Sequence, residues 1–404
     1  MATIKKRKWR SADGKERSAW RVSFSDSNGV RKRKQFTKKE DADRFRIRVE
    51  GQIQAGTFRM AADKISVREL IDLYLQDMDA RLARGEITRR HVEMVRGRVE
   101  NYLCPGSRQP RKNKRGSKQA KPFSNGIGAL KLTHLTEPRV KQFGNDLRDA
   151  GLSVPLTRKV LATLRAALAF AISEHLIATN AASRVRIKGK RGEGSKKIVA
   201  PSKDAVRRLI EVADPDFKIE LMFAATTGVR AGEQHALRWK HVSLDEAEVK
   251  IETRVDSHGD EDAPKTRTSV RTIPLGSEMV KQLREWRVKS KFSKDSDLVF
   301  PGRKGRFKAH SHLLQDQYYP LFVALAEQHE ADPANVPPAP ARFRWHDLRH
   351  FAISTWIEAG LQPKVVQGLA GHSSLTTTMD TYGHWFKSDT HRHAMDAISK
   401  NLFS

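Results

Sequence analysis

The chain has 404 residues, 38% of them hydrophobic, with 76 Lys and Arg against 47 Asp and Glu and a formal net charge of +29. The length suits two to four domains with their own cores. No apolar run approaches the roughly 18 residues of a membrane span, no apolar signal core follows the basic N-terminus, and the one cysteine, Cys104, excludes an internal disulfide framework and fits a reducing cytosol. Charge of this size favours a polyanion through counterion release, so nucleic acid is the leading partner. An anionic membrane surface is the weaker alternative, because no strongly apolar amphipathic segment accompanies the charge.

Residues 1–60 read as a small module. Trp20–Phe24 alternates, Val30–Phe36 carries Lys-Arg-Lys before Phe36, and Ser27-Asn28-Gly29 between them is a turn signal, so a hairpin is predicted. Thr37 predicts the cap of a helix running to about Gln54, with Ala42, Phe45 and Val49 on one face. Arg31, Lys32, Arg33 and Lys34 are its candidate DNA contacts; net positive rather than mixed charge favours that over a merely solvated surface.

Residues 61–185 read as helical. Ser66-Val67-Arg68-Glu69 is a capping-box pattern, followed by Leu70, Leu73 and Tyr74 at helical spacing. A second helix is predicted over Thr157–Ile177, with Leu161, Leu164, Leu168 and Ile172 as its core stripe. Between Glu100 and Glu137 there is no acid, while Arg108, Arg111, Lys112, Lys114, Arg115, Lys118 and Lys121 accumulate among Pro and Gly. This basic loop, at about 104–128, either tracks phosphates or is a disordered insertion. Residues 186–199, Gly- and Lys-rich, predict a linker. Residues 200–404 form a last, helix-rich domain with one β-hairpin region, its strands predicted over Glu248–Val255 and Val270–Leu275 with Asp260–Lys265 near the turn. The fold class is therefore mainly α with small β elements, an α+β chain.

The last domain carries the chemistry. Arg342–Tyr382 contains Trp-His-Asp-Leu-Arg-His (Trp345–His350), Ala-Gly-His-Ser-Ser (Ala370–Ser374) and a tyrosine, Tyr382. A phenol, imidazoles and a guanidinium suit attack on a phosphodiester: a nucleophile, proton-transfer groups and cations for a phosphorane. Upstream, Thr226–Trp239 places Arg230 after Gly228-Val229, where a planar fork suits two phosphate oxygens. Taken alone, each residue has a blander reading: a surface arginine, a packed tyrosine, a solvated turn lysine. Tyr318 and Tyr319 keep that packing role. His346 and His350, four apart, fit a metal on one helix face, but the glutamate of a zinc-protease helix is missing and no cysteine helps, so no metal is assigned.

Together these blocks, in this order, resemble the tyrosine recombinases, and among them the phage-type integrases. The resemblance covers roughly residues 200–386 and extends more weakly through Gly151–Ser183, while residues 1–60 are similar to the arm-site DNA-binding module of those integrases and 61–185 to their SAM-like core-binding domain. It implies a DNA-cleaving and rejoining enzyme in which Tyr382 is the nucleophile and is left as a 3′-phosphotyrosine. Arg230 and Arg349 would clamp the phosphate, His346 would move a proton or bind phosphate, and His372 would donate to the phosphate. Lys265 would be general acid for the leaving 5′-oxygen, with Arg267 and Arg271 as competitors. Glu233 and His350 would support the site. The resemblance further implies no cofactor, double-stranded attachment-site DNA as partner, a homo-tetramer on that DNA, an excision factor or DNA-bending host protein, and a cytoplasmic, nucleoid-associated location. The tail, with Ala394, Met395, Ala397, Ile398 and Leu402 at helical spacing, would pack in cis or on a neighbour. A chromosome-dimer resolvase, a type IB topoisomerase and a non-catalytic DNA-binding regulator are the rival readings.

Overall fold

The structure, a computed structural model, describes residues 2–10, 15–25, 31–54, 64–106, 123–190, 193, 198–262, 269–386 and 389–403. It is mainly helical with small antiparallel sheets and divides into two compact units, Met1–Ser195 and Lys196–Ser404. Among the described residues no helix is long and apolar enough to cross a membrane.

The first unit opens with a three-stranded sheet, β1 (Thr3–Arg10), β2 (Glu16–Ser25) and β3 (Arg31–Phe36), in the order β1-β2-β3, followed by α1 (Lys39–Gln54). The hairpin expected from Trp20–Phe36 is β2–β3, and α1 buries Ala42, Phe45 and Val49 against Val22 and Phe24. β1 was not expected. Its sequence, TIKKRKWR, lacks apolar alternation because it is an edge strand whose residues stay mostly exposed. Alternation places Val22, Phe24 and Phe36 toward α1, so Arg31 and Arg33 stand on the opposite face while Lys32 and Lys34 share the α1 side. Lys34 Nζ lies 4.7 Å from the centre of the Phe45 ring. Across the other face Lys5 is paired with Arg21, and Ser23 with Arg33.

The helical part follows: α2 (Val67–Ala83), α3 (Arg89–Arg98), α4 (Glu137–Asp149) and α5 (Val154–Ser173). Ser66 and Glu69 make both halves of the capping box, as expected. Leu70 and Tyr74 are buried while Leu73 is exposed. α5 starts earlier than predicted because Ser153 caps it, its side chain accepting from Leu156 N, ahead of Pro155 in the first turn. Leu161, Leu164 and Leu168 are core, and Ile172 is exposed. The basic stretch leaves and re-enters at one place, since Ile127 N donates to Leu103 O at 2.9 Å. Arg111, Lys112, Lys114 and Arg115 lie outside the described residues. The predicted linker begins as part of this unit: Ile187 is buried in its core, Arg158 donates to Ile187 O, and Arg148 pairs with Glu193.

The second unit contains α6 (Lys203–Val212), α7 (Pro215–Thr227), α8 (Ala231–His235), β4 (Val242–Ser243), β5 (Glu248–Ile251), β6 (Arg254–Val255), β7 (Glu261–Asp262), β8 (Arg271–Pro274), α9 (Ser277–Lys289), α10 (His310–His312), α11 (Tyr319–Ala331), α12 (Trp345–Glu358), α13 (Pro363–Ala370), α14 (Leu375–Tyr382) and α15 (Asp389–Phe403). α7 is its axis. Phe217 and Leu221 face a core shared with α6, α11 and α12, while Ile219 and Phe223 face a core built on the β4-β5-β8 sheet and α9. A helix buried on both sides needs no polar face, which explains the apolar run Leu221–Ala225. The strand expected over Glu248–Val255 breaks in two. β5 pairs with β8, whereas β6 pairs with β7 and packs on α8 at Gly232, where an added Cβ would meet Val255 O at 2.5 Å. Tyr318 is buried among Phe322, Phe343 and Trp345, the packing role expected of it.

Candidate active site

The site is assembled at two left-handed turns. Gly228 ends α7 with φ 59°, and a Cβ there would press on Ala352 and Trp356 at 3.1 Å. The chain then reverses and sets Arg230 at the start of α8. Glu233, one turn on, reaches back: its carboxylate accepts from Arg230 N at 2.9 Å and from Arg230 Nη1 at 2.8 Å. Gly371 ends α13 with φ 64°, and its carbonyl accepts from Arg230 Nη2 at 3.2 Å.

Two further guanidiniums meet there. Arg349, on α12, is 3% exposed and donates to Gly228 O at 2.7 Å and Ala370 O at 2.5 Å, tying the two turns together. Arg271, on β8, donates from Nη2 to Glu233 at 2.8 Å, from Nε to Leu369 O at 2.7 Å and from Nη1 to Ser269 O at 3.0 Å. Glu233 thus joins Arg230 to Arg271. Burial would raise its carboxyl, but the Arg271 and Arg230 guanidiniums reverse that and hold it at about 2. Among the described residues Arg349's hydrogen-bond partners are carbonyls; burial first, then Arg230 and Arg271, lower it to about 9 against the pull of Glu233. Three guanidiniums in this cluster therefore meet one carboxylate, and of the three only Arg230 keeps an open side, at 39% side-chain exposure.

The imidazoles and the phenol come from α12 and the α13–α14 segment. His372 follows Gly371; its Nδ1 is 2.9 Å from Thr378 Oγ1, and burial, then Arg349, Arg230 and Arg271, push it down to about 4. Its ring lies nearly parallel to that of Tyr382, centroids 6.1 Å apart. Tyr382 closes α14, is 1% exposed, and has its hydroxyl 2.6 Å from His350 Nδ1. Burial pushes the phenol up to about 12, against the pull of Arg349 and Arg230. His346 sits one turn before His350 with ring centroids 5.1 Å apart. Its edge remains exposed to solvent, and packing, followed by His350, Arg349 and Arg344, lowers it to about 4.

The structure thus brings Arg230, Glu233, Arg349, His372, Tyr382 and His350 together, with His346 at the edge. Lys265 and its competitor Arg267 lie outside the described residues. Two residues hold larger places than the sequence suggested. Arg271, weighed only as a substitute proton donor, has its guanidinium engaged on three sides. The signal was its position two residues before Ile273 on the buried face of β8, since an arginine there needs buried partners. His350, read as support, touches the phenol itself.

The sequence profile of the phage integrase family matches residues 184–389, just over half of the chain. The XerC-like tyrosine recombinase of Caldanaerobacter subterraneus subsp. tengcongensis is 24% identical over 281 residues, 63% of this chain and 68% of that protein. The ICEBs1 integrase of Bacillus subtilis is 23% identical over 265 residues, again 63% and 68%. The fold matches the Tn1549 transposon integrase in complex with transposon right end DNA, with TM-score 0.60, 18% identity and coverage of 83% of this chain and 100% of that one. It also matches a lambda integrase dimer bound to a core site, with TM-score 0.51, 14% identity and 94% of each chain covered. Family profile, relatives and fold agree: the chain belongs to the phage integrase family and is a tyrosine-type site-specific recombinase acting on DNA.

Proposed function

We propose that this recombinase integrates or excises a phage or other mobile element, with Tyr382 as the nucleophile that forms a 3′-phosphotyrosine. The observation that carries the assignment is the convergence of Arg230, Arg349, His372 and Tyr382 from separate segments onto one cluster with more guanidiniums than carboxylates. A phosphodiester entering it meets fixed donors, and a phosphorane, with more charge, meets them more strongly. That is how such a site lowers a barrier without reorganising. Arg230, whose guanidinium keeps an open side, binds the non-bridging oxygens, and Arg349, held on Gly228 O and Ala370 O, adds its charge from behind it. A Thr378 hydroxyl donating to His372 Nδ1 leaves the imidazole proton on Nε2, free to point at the phosphate. Lys265 protonates the leaving 5′-oxygen, and the freed hydroxyl of a second strand reverses the reaction. His346, at the solvent edge, binds phosphate or carries protons outward.

The N-terminal sheet, with Lys5, Arg21 and Arg33 on the face away from α1, is the proposed arm-site module. The helical residues 61–185 are the core-binding domain, and their basic stretch, with Arg111, Lys112, Lys114 and Arg115, follows phosphates. That sheet-bearing module favours an integrase over a chromosome-dimer resolvase. A lambda integrase tetramer has been seen on a Holliday junction. For this chain the exposed Met395, Ile398 and Leu402 of α15 supply an apolar stripe for a neighbour in such an assembly. An excision factor or DNA-bending host protein would set direction, on the nucleoid in the cytoplasm.

The test is covalent capture. Wild-type protein is mixed with a library of nicked duplexes of randomised sequence, and DNA surviving denaturation on the protein is sequenced to define the site. Tyr382→Phe should bind that site and yield no covalent band; a persisting band would remove Tyr382 from the role. Supercoil relaxation without recombinants would favour the topoisomerase reading.

A further inference from the structure

We infer that His350 is a catalytic residue, the base that takes the phenol proton when Tyr382 attacks phosphorus. The inference rests on the reading of Tyr382 as nucleophile and gives that oxygen its proton acceptor.

The geometry supports it from three directions. The Tyr382 hydroxyl is buried and a buried O–H needs an acceptor; His350 Nδ1, at 2.6 Å, is its hydrogen-bond partner. Both groups are held by their helices: His350 lies within α12, one residue after the buried Arg349, and Tyr382 closes α14, so a proton can pass without either backbone moving. His346, the more obvious candidate from its motif position, is exposed and meets His350 edge to face, its ring nearly perpendicular.

The groups facing His350 leave it neutral and receptive. Burial lowers its proton affinity; Asp347 opposes this while Arg344 and Arg349 reinforce it, with His346 on the same helix and both Tyr382 on α14 and His372 before it across from it. A neutral ring with its proton on Nε2 presents the Nδ1 lone pair to the phenol. In the step, the Tyr382 O–H bond breaks and its proton goes to His350 Nδ1. The phenolic oxygen forms the new bond to phosphorus. The bond from phosphorus to the 5′-oxygen breaks, and that oxygen takes its proton from a separate donor, the role given above to Lys265. Ligation runs the same transfers backwards, His350 returning its proton to the phenol.

The experiment uses the full-length protein and the nicked duplex selected by wild-type capture. Single-turnover adduct formation is followed at saturating protein across pH, alongside non-covalent binding. His350→Gln, which keeps a hydrogen-bonding side chain but cannot accept the proton, should bind DNA normally. It should form adduct at least about 100-fold more slowly, the usual range for losing a general base. The wild-type rate should fall at acid pH as the base is protonated, and that acid limb should vanish in His350→Gln. His350→Ala opens a cavity, and added imidazole should restore part of its rate in proportion to the free base. A His350→Gln rate within a few-fold of wild type overturns the proposal. So does a slow variant that keeps the acid limb and whose alanine counterpart ignores imidazole, since His350 would then only position the phenol. Adduct in Tyr382→Phe is a different failure, of the nucleophile assignment. An active wild type, an inactive Tyr382→Phe and an unimpaired His350→Gln leave that assignment standing and remove only the base.

Discussion

Glu233→Gln tests the carboxylate that joins Arg230 to Arg271. The glutamate is 4% exposed, accepts from Arg230 N, Arg230 Nη1 and Arg271 Nη2, and holds its carboxyl at about 2 instead of 4.5. At about 1.4 kcal/mol per pH unit of displacement, the charged form favours the folded state by about 3 kcal/mol at neutral pH. Breaking a buried pair from one side costs about 3–5 kcal/mol, a consistent figure. Because the folded-state value is the lower one, this contribution is complete above about pH 4.5 and is lost as the pH falls through about 2. The gap between wild type and variant should therefore be flat across neutral pH and narrow only in acid. Urea unfolding read by tryptophan fluorescence suits the measurement, since Trp239, Trp286, Trp345, Trp356 and Trp385 belong to the second unit and only Trp9 and Trp20 to the first. A variant as stable as wild type near neutral pH, or a gap that widens in acid, would refute the reasoning.

Gly371→Ala forces a side chain into φ 64° with its Cβ 3.1–3.3 Å from the Arg271 guanidinium, so it should cost about 1–3 kcal/mol by thermal unfolding and slow adduct formation through displacement of Arg230 and His372. Arg349→Lys cannot span both Gly228 O and Ala370 O, and single-turnover cleavage should drop about 100-fold or more with DNA affinity little changed. Arg33→Ala, on the face of the N-terminal sheet away from α1, should weaken binding and reduce the slope of log affinity against log salt by about one, as loss of one phosphate contact predicts; an unchanged slope would place that face away from DNA.

Much of the molecule could be read before folding because its signals are local. The Ser66–Glu69 box, the Leu161–Leu164–Leu168 stripe and the Gly228-Val229 pair before Arg230 each sit within a few residues of what they specify. What escaped depends on distant partners. β1 has no alternation of its own and becomes a strand only because β2 offers it an edge. The Glu248–Val255 strand breaks because α8 brings Gly232 against Val255 O. Arg271 and His350 looked secondary because their significance lies across 38 residues to Glu233 and across 32 to Tyr382. A linear motif names the residue types of such a centre but not which of two neighbouring histidines meets the phenol.

Arg349 leaves one consequence to draw. An arginine paired with its own carboxylate is content without substrate, but this one is buried, donates to carbonyls, and shares a single nearby carboxylate, Glu233, with Arg230 and Arg271. The cluster is therefore electrostatically frustrated, since its guanidiniums repel one another more than one carboxylate can offset. Phosphate entry relieves that frustration, so binding and folding stability are thermodynamically linked, and the DNA-bound enzyme should unfold at higher temperature than the free one by an amount that grows with free DNA concentration. A recombinase built this way is easier to lose when away from DNA, where it lies closer to unfolding.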